Sequence, residues 1–124
     1  MSKPIQQIAF ITVAMLLLDG IYLTLNKSLF ENQVKAVQNT SLKFNVLGAV
    51  LCYPLLVGGL YYFIVREKKS VFDAFLLGLV IYGVYETTNL AILAKWRLST
   101  VVLETLWGAF LMAATTFLTY RLVG

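Results

Sequence analysis

The sequence predicts an all-α fold, a four-transmembrane-helix bundle with short loops. Of its 124 residues, 60% are hydrophobic and 13% are charged, and the mean hydropathy is +0.81. A soluble domain of this size needs far less apolar material for its core. Four apolar windows span about residues 5–25, 44–65, 71–94 and 98–120, each close to the ~20 residues that cross a bilayer. We therefore expect one integral membrane domain over residues 1–124, with the lipid bilayer as its surroundings.

The first window is expected to be a retained helix. Its apolar run from Ile8 to Leu18 would by itself suit a cleavable signal peptide. However, only Lys3 precedes it as a basic residue, and Asp19 stands where a signal would need a small-residue cleavage site.

The first connection, 26–43, is the one long loop, and it predicts a short interfacial helix over 29–37. Its apolar and charged residues fall on different helical faces, a pattern typical of a helix lying on the membrane surface. The apolar set is Leu29, Phe30, Val34 and Val37, and the charged set is Lys27, Glu31 and Lys35. The alternative is an ordinary solvated loop. The second connection, 66–70, is short enough to be a tight turn.

Basic residues do not fix the orientation of the bundle. With four crossings, the N-terminal side holds Lys3, Arg66, Lys68, Lys69 and Arg121, and the other side holds Lys27, Lys35, Lys43, Lys95 and Arg97. Because the Lys/Arg bias near helix ends sets orientation, this balance favours neither side. The N-terminal amine gives a slight preference for the N-terminus inside, and dual topology is the alternative.

Several function classes lose their usual residues. The chain has no histidine and one cysteine, Cys52, so a zinc site, a haem ligand, a catalytic triad and a disulfide framework are not expected. We expect no cofactor and no metal. The net charge of +4 comes from residues at helix ends, as membrane flanks require, and does not indicate nucleic acid.

Three acids, Asp19, Glu86 and Glu104, lie inside the apolar windows. A carboxylate at the centre of a membrane helix costs ~2.5 kcal/mol or more on insertion scales. Counted from the neighbouring loops at 1.5 Å per residue, all three lie about 10–14 Å below the same membrane face. They should therefore face inward and meet in one pocket.

Each acid has a polar or aromatic residue three positions later, on the same helix face. The predicted pocket consists of Asp19, Tyr22, Tyr53, Tyr82, Tyr85, Glu86, Asn89, Glu104 and Trp107. Its mouth consists of Asn26, Asn45, Lys95, Trp96 and Arg97. Small residues recur every four positions at Gly83, Thr87 and Ala91, and again at Ala109 and Ala113, a spacing that favours close helix packing.

Such a pocket cannot hold three bare negative charges, because desolvation and mutual repulsion both disfavour them. We expect a proton, a bound small cation or a basic partner, and Lys95 and Arg97 could reach inward from their loop. The alternative is that the acids are neutral and hold the bundle together through hydrogen bonds.

Three segments carry a family resemblance. Tyr85-Glu86-Thr87-Thr88-Asn89-Leu90-Ala91, then Trp96 and Leu98, then Glu104-Thr105-Leu106-Trp107-Gly108 resemble the pattern Y-D-x-T-N-L-A…W-P-L…D-x-x-W-G. Leu18-Asp19-Gly20-Ile21-Tyr22-Leu23 resembles the L-D-x-x-W-L of the same family's first helix. The family is the predicted membrane proteins called domain of unknown function 2177. The resemblance covers nearly the whole chain and implies a four-helix membrane protein with functional residues at the acids, but no established activity.

The chain departs from that pattern in chemical detail. Glu replaces Asp at 86 and 104, Tyr replaces Trp at 22, and Arg97 stands at the family's Pro. A longer side chain that keeps its carboxyl favours a role for the group's chemistry over a fixed metal geometry.

Three functions fit these residues. The first is a proton- or cation-linked transporter or channel, which with so few helices would require a homodimer or larger homo-oligomer. The second is a structural or accessory subunit of a membrane complex. The third is a cofactor-free membrane enzyme acting on a lipid or isoprenoid, with one carboxyl as acid and another as base, and we favour a non-enzymatic role.

Overall fold

The computed structural model describes residues 2–40 and 45–124, and it confirms the all-α four-helix bundle. Four helices are long and apolar enough to cross a membrane. The elements are α1 (Lys3–Leu25), α2 (Lys27–Gln38), α3 (Val46–Leu60, continued by a π-helical turn, Tyr61–Val65), α4 (Val71–Ile92) and α5 (Leu98–Leu122). Residue 44, where the second window was expected to begin, and Lys43 lie outside the described residues.

The first connection contains a helix rather than an irregular loop. α2 begins directly after Asn26, and Asn39 ends it in a left-handed conformation with φ of 61°. Leu29 and Phe30 on its apolar side are partly buried, and the Phe30 ring packs edge-on against Tyr22 with ring centroids 5.7 Å apart. A position in the membrane interface stays a prediction.

α5 is the central helix of the bundle. α4 packs along it, α1 packs on its other side, and α3 packs on α1. The core lies in the half of the bundle away from α2 and consists of Ile11, Met15, Leu56, Val57, Leu60, Ile64, Val65, Ala74, Leu111 and Met112. This arrangement places α3 and α4 on either side of a groove whose floor is formed by α1 and α5.

Glycines outside the predicted small-residue pattern form a close approach between α4 and α5. A Cβ on Gly78 would lie 2.3 Å from the carbonyl oxygen of Gly108, and a Cβ on Gly108 would lie 2.0 Å from Cγ of Tyr82. Of the residues expected at a packing face, Ala109 is fully buried, whereas Thr87 is exposed. Thr87 donates its hydroxyl to the carbonyl of Gly83 within its own helix at 2.6 Å.

Candidate functional site

Asp19 on α1 and Glu104 on α5 each accept a hydrogen bond from an aromatic residue of the other helix. The indole Nε1 of Trp107 donates to Oδ1 of Asp19 at 3.0 Å, and the hydroxyl of Tyr22 donates to Oε1 of Glu104 at 3.3 Å. The rings of Tyr22 and Trp107 stack between these two bonds, with centroids 4.3 Å apart and an interplanar angle of 2°. The four side chains form one reciprocal cluster.

The pairing of each acid with the aromatic residue of the opposite helix follows from helix geometry. Each helix carries an acid followed three positions later by an aromatic residue, and such residues share one face. α1 and α5 run antiparallel, so the acid of one helix is level with the aromatic residue of the other. The aromatic partners expected for Asp19 and Glu104 within their own helices are thus found on the opposite helix.

The carboxyls of Asp19 and Glu104 differ in the number of hydrogen bonds that they accept. The hydroxyl of Tyr53 on α3 donates to Oδ2 of Asp19, so both oxygens of Asp19 have donors, and the residue is 8% exposed. Glu104 accepts from Tyr22 alone among the described residues. Asp19 therefore ties α1, α3 and α5 together, and Glu104 keeps one oxygen for other partners.

Asp19 and Glu104 share a cavity of about 530 Å³ between α3 and α4. Most of its wall is apolar or aromatic, and no Lys or Arg belongs to the lining within the described residues. The lining residues are Asp19, Leu23, Asn45, Gly48, Ala49, Cys52, Tyr53, Leu56, Ile81, Tyr82, Tyr85 and Glu104. Tyr53, Tyr82 and Tyr85, all expected in the pocket, lie on its wall.

Glu86 occupies a separate polar contact. It is 1% exposed and accepts from the indole Nε1 of Trp96 at 3.1 Å, but it does not belong to the cavity lining. Successive residues on a helix point about 100° apart, so Tyr85 turns toward the cavity and Glu86 away from it. Asn89, three positions after Glu86, is likewise outside the lining and partly buried. The structure thus brings two of the three acids together in the cavity and places the third in a separate contact with Trp96.

The predicted mouth residues serve different purposes. Asn45 lines the cavity and caps α3 by accepting from the backbone N–H of Gly48 at 3.2 Å. Asn26 donates to the backbone carbonyl of Tyr22 at 3.0 Å. Lys95 and Arg97 have exposed side chains.

A basic partner for the acids is not found at this mouth. The ion pairs within residues 2–40 and 45–124 are Lys27 with Glu31 and Arg66 with Glu67, both on the surface. Lys95 and Arg97 are exposed and form no ion pair with an acid among the described residues, so an inward reach of either side chain stays a prediction.

The residue that holds this loop, Gln33 of α2, was missed by sequence reasoning. It is fully buried. Its Nε2 donates to the carbonyl of Lys95 at 3.0 Å, and its Oε1 accepts from the backbone N–H of Arg97 at 3.0 Å and from the hydroxyl of Thr100 at 2.7 Å. Lys95 sits there with φ of 66°, a conformation that costs energy in a non-glycine residue. Gln33 thus fixes α2 over the loop that joins α4 to α5.

Replacing Gln33 by leucine should free this loop. The N–H of Arg97 and the hydroxyl of Thr100 would lose their acceptor, and an unmade buried hydrogen bond costs about 1–3 kcal/mol. We expect hydrogen exchange at the Arg97 amide to accelerate at least tenfold, measured by NMR in detergent micelles. The backbone amide of Asp73, which donates to Ser70 at the other end of the bundle, is the internal control and should exchange at the same rate in both proteins. Equal exchange rates of the Arg97 amide in the wild type and Gln33→Leu would contradict this role.

Fully buried apolar residues follow the two cavity acids along α1 and α5 toward the other end of the bundle. Ile11 and Met15 of α1 and Leu111 and Met112 of α5 are all fully buried and form an apolar layer beyond Asp19 and Glu104. A second cleft, of about 680 Å³, opens on that far face. It is lined by Lys3, Gln7, Tyr61, Val65, Arg66, Lys68, Tyr120 and Gly124. Two clefts of opposite electrostatic character therefore enter the bundle from opposite ends.

A family model described as a predicted membrane protein (DUF2177) matches residues 5–121. No curated protein and no solved structure matches the chain. The described residues contain no group of three or more His, Cys, Asp or Glu side chains that could hold a metal ion. The matched span includes both cavity acids and both aromatic residues of the reciprocal cluster.

Proposed function

The chain belongs to DUF2177, a family of predicted membrane proteins, and we propose that it is a small proton- or cation-linked transporter. Its exchange site is the cavity that contains Asp19 and Glu104. The main observation in support is that these two carboxyls share one largely apolar cavity, whose described lining contains no basic residue. Two bare negative charges are unstable there, because burial and mutual repulsion both disfavour them. In this proposal a bound proton or cation supplies positive charge beside these two acids.

Glu104 is the exchanging carboxyl in this proposal. Both oxygens of Asp19 accept hydrogen bonds from Tyr53 and Trp107, so its acceptor sites are filled. Glu104 keeps one oxygen without a donor among the described residues and lines the cavity. A proton or cation can therefore bind Glu104 without breaking the contacts that join the helices.

The apolar layer favours a transporter over an open channel. Met15 and Leu111 are fully buried between the acidic cavity and the far cleft, and a water-filled path would have to displace such residues. A site reached from one face at a time is what alternating access requires. Because one chain supplies few helices for that movement, we propose that a homodimer or larger homo-oligomer carries it out.

Ion flux in proteoliposomes tests this function. Purified protein is reconstituted with a pH-sensitive dye inside, and proton uptake is followed after a pH jump, with Na⁺ or K⁺ gradients in parallel. We expect uptake above protein-free vesicles, and a loss of at least tenfold in Glu104→Gln. Glu67→Gln is the matched control, because Glu67 pairs with Arg66 on the surface and should leave uptake unchanged. Absent flux in the wild type, both with and without an organic cation added outside the vesicles, or equal flux in Glu104→Gln, would refute the transporter.

A purely structural role is the second candidate, and the hydrogen bonds of Asp19 favour it. They connect three helices through one side chain, which is how polar residues stabilise membrane bundles. If the folded wild type shows no flux of any cation while Asp19 variants lose stability, the cluster is a structural element of a larger membrane complex.

A further inference from the structure

We propose that the transported species is a lipophilic organic cation that enters the cavity sideways from the bilayer, between α3 and α4. This proposal rests on the proposed transport function and names its substrate class. The relevant site is the same 530 Å³ cavity.

The packing of the helices gives the cavity a side that faces lipid. α3 is held mainly by α1, and α4 mainly by α5, so α3 and α4 form two walls with the cavity between them. Residues at the edges of these walls are exposed: Leu23 is 42% exposed and Tyr85 61%, and Cys52 is also exposed. In a membrane, such a rim lies against acyl chains. A solute dissolved in the bilayer can therefore reach the cavity without passing through water.

The lining selects for a positive charge on an apolar body. Leu56 and Ile81 supply apolar walls, and Tyr53 and Tyr82 supply aromatic rings, whose faces attract cations by about 0.5–2 kcal/mol. Glu104 adds a carboxylate oxygen without a donor among the described residues. A small hydrated ion would gain nothing from the apolar walls, and an organic anion would meet two acids.

The cavity volume is also appropriate. Small-molecule pockets typically measure about 300–1,000 Å³, so 530 Å³ admits a compact ligand with several rings. A bound cation and a proton would compete for Glu104, and this competition would couple the entry of one to the release of the other.

Two ions of nearly equal shape and opposite charge test the inference. Tetraphenylphosphonium and tetraphenylborate are titrated separately into the detergent-solubilised wild type, and binding is followed by isothermal calorimetry. We expect the phosphonium to bind at least tenfold more tightly than the borate, and its affinity to fall at least tenfold in Glu104→Gln. Glu67→Gln should leave both affinities unchanged. Equal affinities for the two ions, or an unchanged phosphonium affinity in Glu104→Gln, would overturn the proposal.

The chain's single cysteine locates the binding. Cys52 lies on the cavity rim, so bound phosphonium should slow its alkylation by N-ethylmaleimide at least fivefold in liposomes. A Cys52→Ala/Phe63→Cys variant is the control, since Phe63 is exposed outside the cavity and its replacement should not be protected. Equal protection at both positions would show only partition into lipid and would overturn the site.

The binding and flux experiments can fail independently of each other. Proton or Na⁺ flux without phosphonium binding would reject the substrate class and leave the transporter standing. Charge-selective binding at Cys52 and Glu104 without any flux would keep the binding site and reject transport.

Discussion

Replacing Gly78 by alanine is expected to separate α4 from α5 and to destabilise the bundle by about 3 kcal/mol, the upper range for overpacking of a tight core. The added Cβ would lie 2.3 Å from the carbonyl oxygen of Gly108 and 2.8 Å from Cα of Ala109. Both atoms belong to the backbone, so no side-chain rotation can relieve the contact. The measurement is the unfolding midpoint in mild detergent, followed by circular dichroism during titration with sodium dodecyl sulfate.

Gly58→Ala is the matched control for this substitution. Gly58 is also helical, and a Cβ there would meet nothing within 4 Å. Because alanine favours helix by up to ~1 kcal/mol over glycine, Gly58→Ala should be neutral or stabilising. Equal midpoints for the two alanine variants would show that the close approach at Gly78 does not exist in the folded protein.

Gly108 offers a second check on the same helix contact. A Cβ on Gly108 would lie 2.0 Å from Cγ of Tyr82, at the root of the ring rather than at its flexible end. Gly108→Ala should therefore be destabilising, and Tyr82→Ala should restore part of the lost stability in the double variant. Additive losses would contradict a direct contact.

The helices and the inward position of Asp19 and Glu104 could be predicted from the sequence, because a bilayer dictates the length of a crossing and excludes charge. The depth of the acids below a membrane face stays a prediction. About 20 apolar residues are needed for each crossing, and a carboxylate inside one avoids lipid whatever its partners are. Asp19 and Glu104 accordingly face one cavity.

Contacts between helices could not be predicted in the same way. The face shared by Asp19 and Tyr22 is a property of one helix, whereas the pairing of Asp19 with Trp107 depends on the register between two helices. The register of α4 against α5 likewise depends on a close backbone approach, at Gly78 and Gly108. Ala74 and Gly78 have the small-xxx-small spacing that signals such an approach.

Gln33 illustrates a different limit. An amide in a short amphipathic helix is ordinary in a sequence, and nothing in the residues around it indicates burial. Its role arises from the loop at Lys95 and Arg97, far along the chain. The carbonyl of Lys95 and the N–H of Arg97 come within reach of this side chain only when the chain folds. Similarly, Glu86 accepts a hydrogen bond from Trp96, a residue of the same loop.

Asp19→Leu is expected to cost about 2 kcal/mol of stability, whereas Glu104→Gln should cost less than about 1 kcal/mol. Leucine at position 19 leaves the hydroxyl of Tyr53 and the indole N–H of Trp107 without their acceptor. Glutamine at position 104 keeps an oxygen for Tyr22. The stability of both variants is measured by the unfolding midpoint in mild detergent. Equal losses of stability would contradict a larger contribution of the Asp19 hydrogen bonds to the helix packing.

A double-mutant cycle isolates the contact behind the larger effect. Tyr53→Phe should be destabilising in the wild type and close to neutral in the Asp19→Leu background, because the hydroxyl has lost its acceptor there. The coupling energy should be about 0.5–2 kcal/mol, the range for interhelical hydrogen bonds in membranes. Since Asp19 holds Trp107, which stacks on Tyr22 beside Glu104, Asp19→Asn should lower both stability and flux. Glu104→Gln should lower flux alone, and this separation distinguishes a positioning carboxyl from an exchanging one.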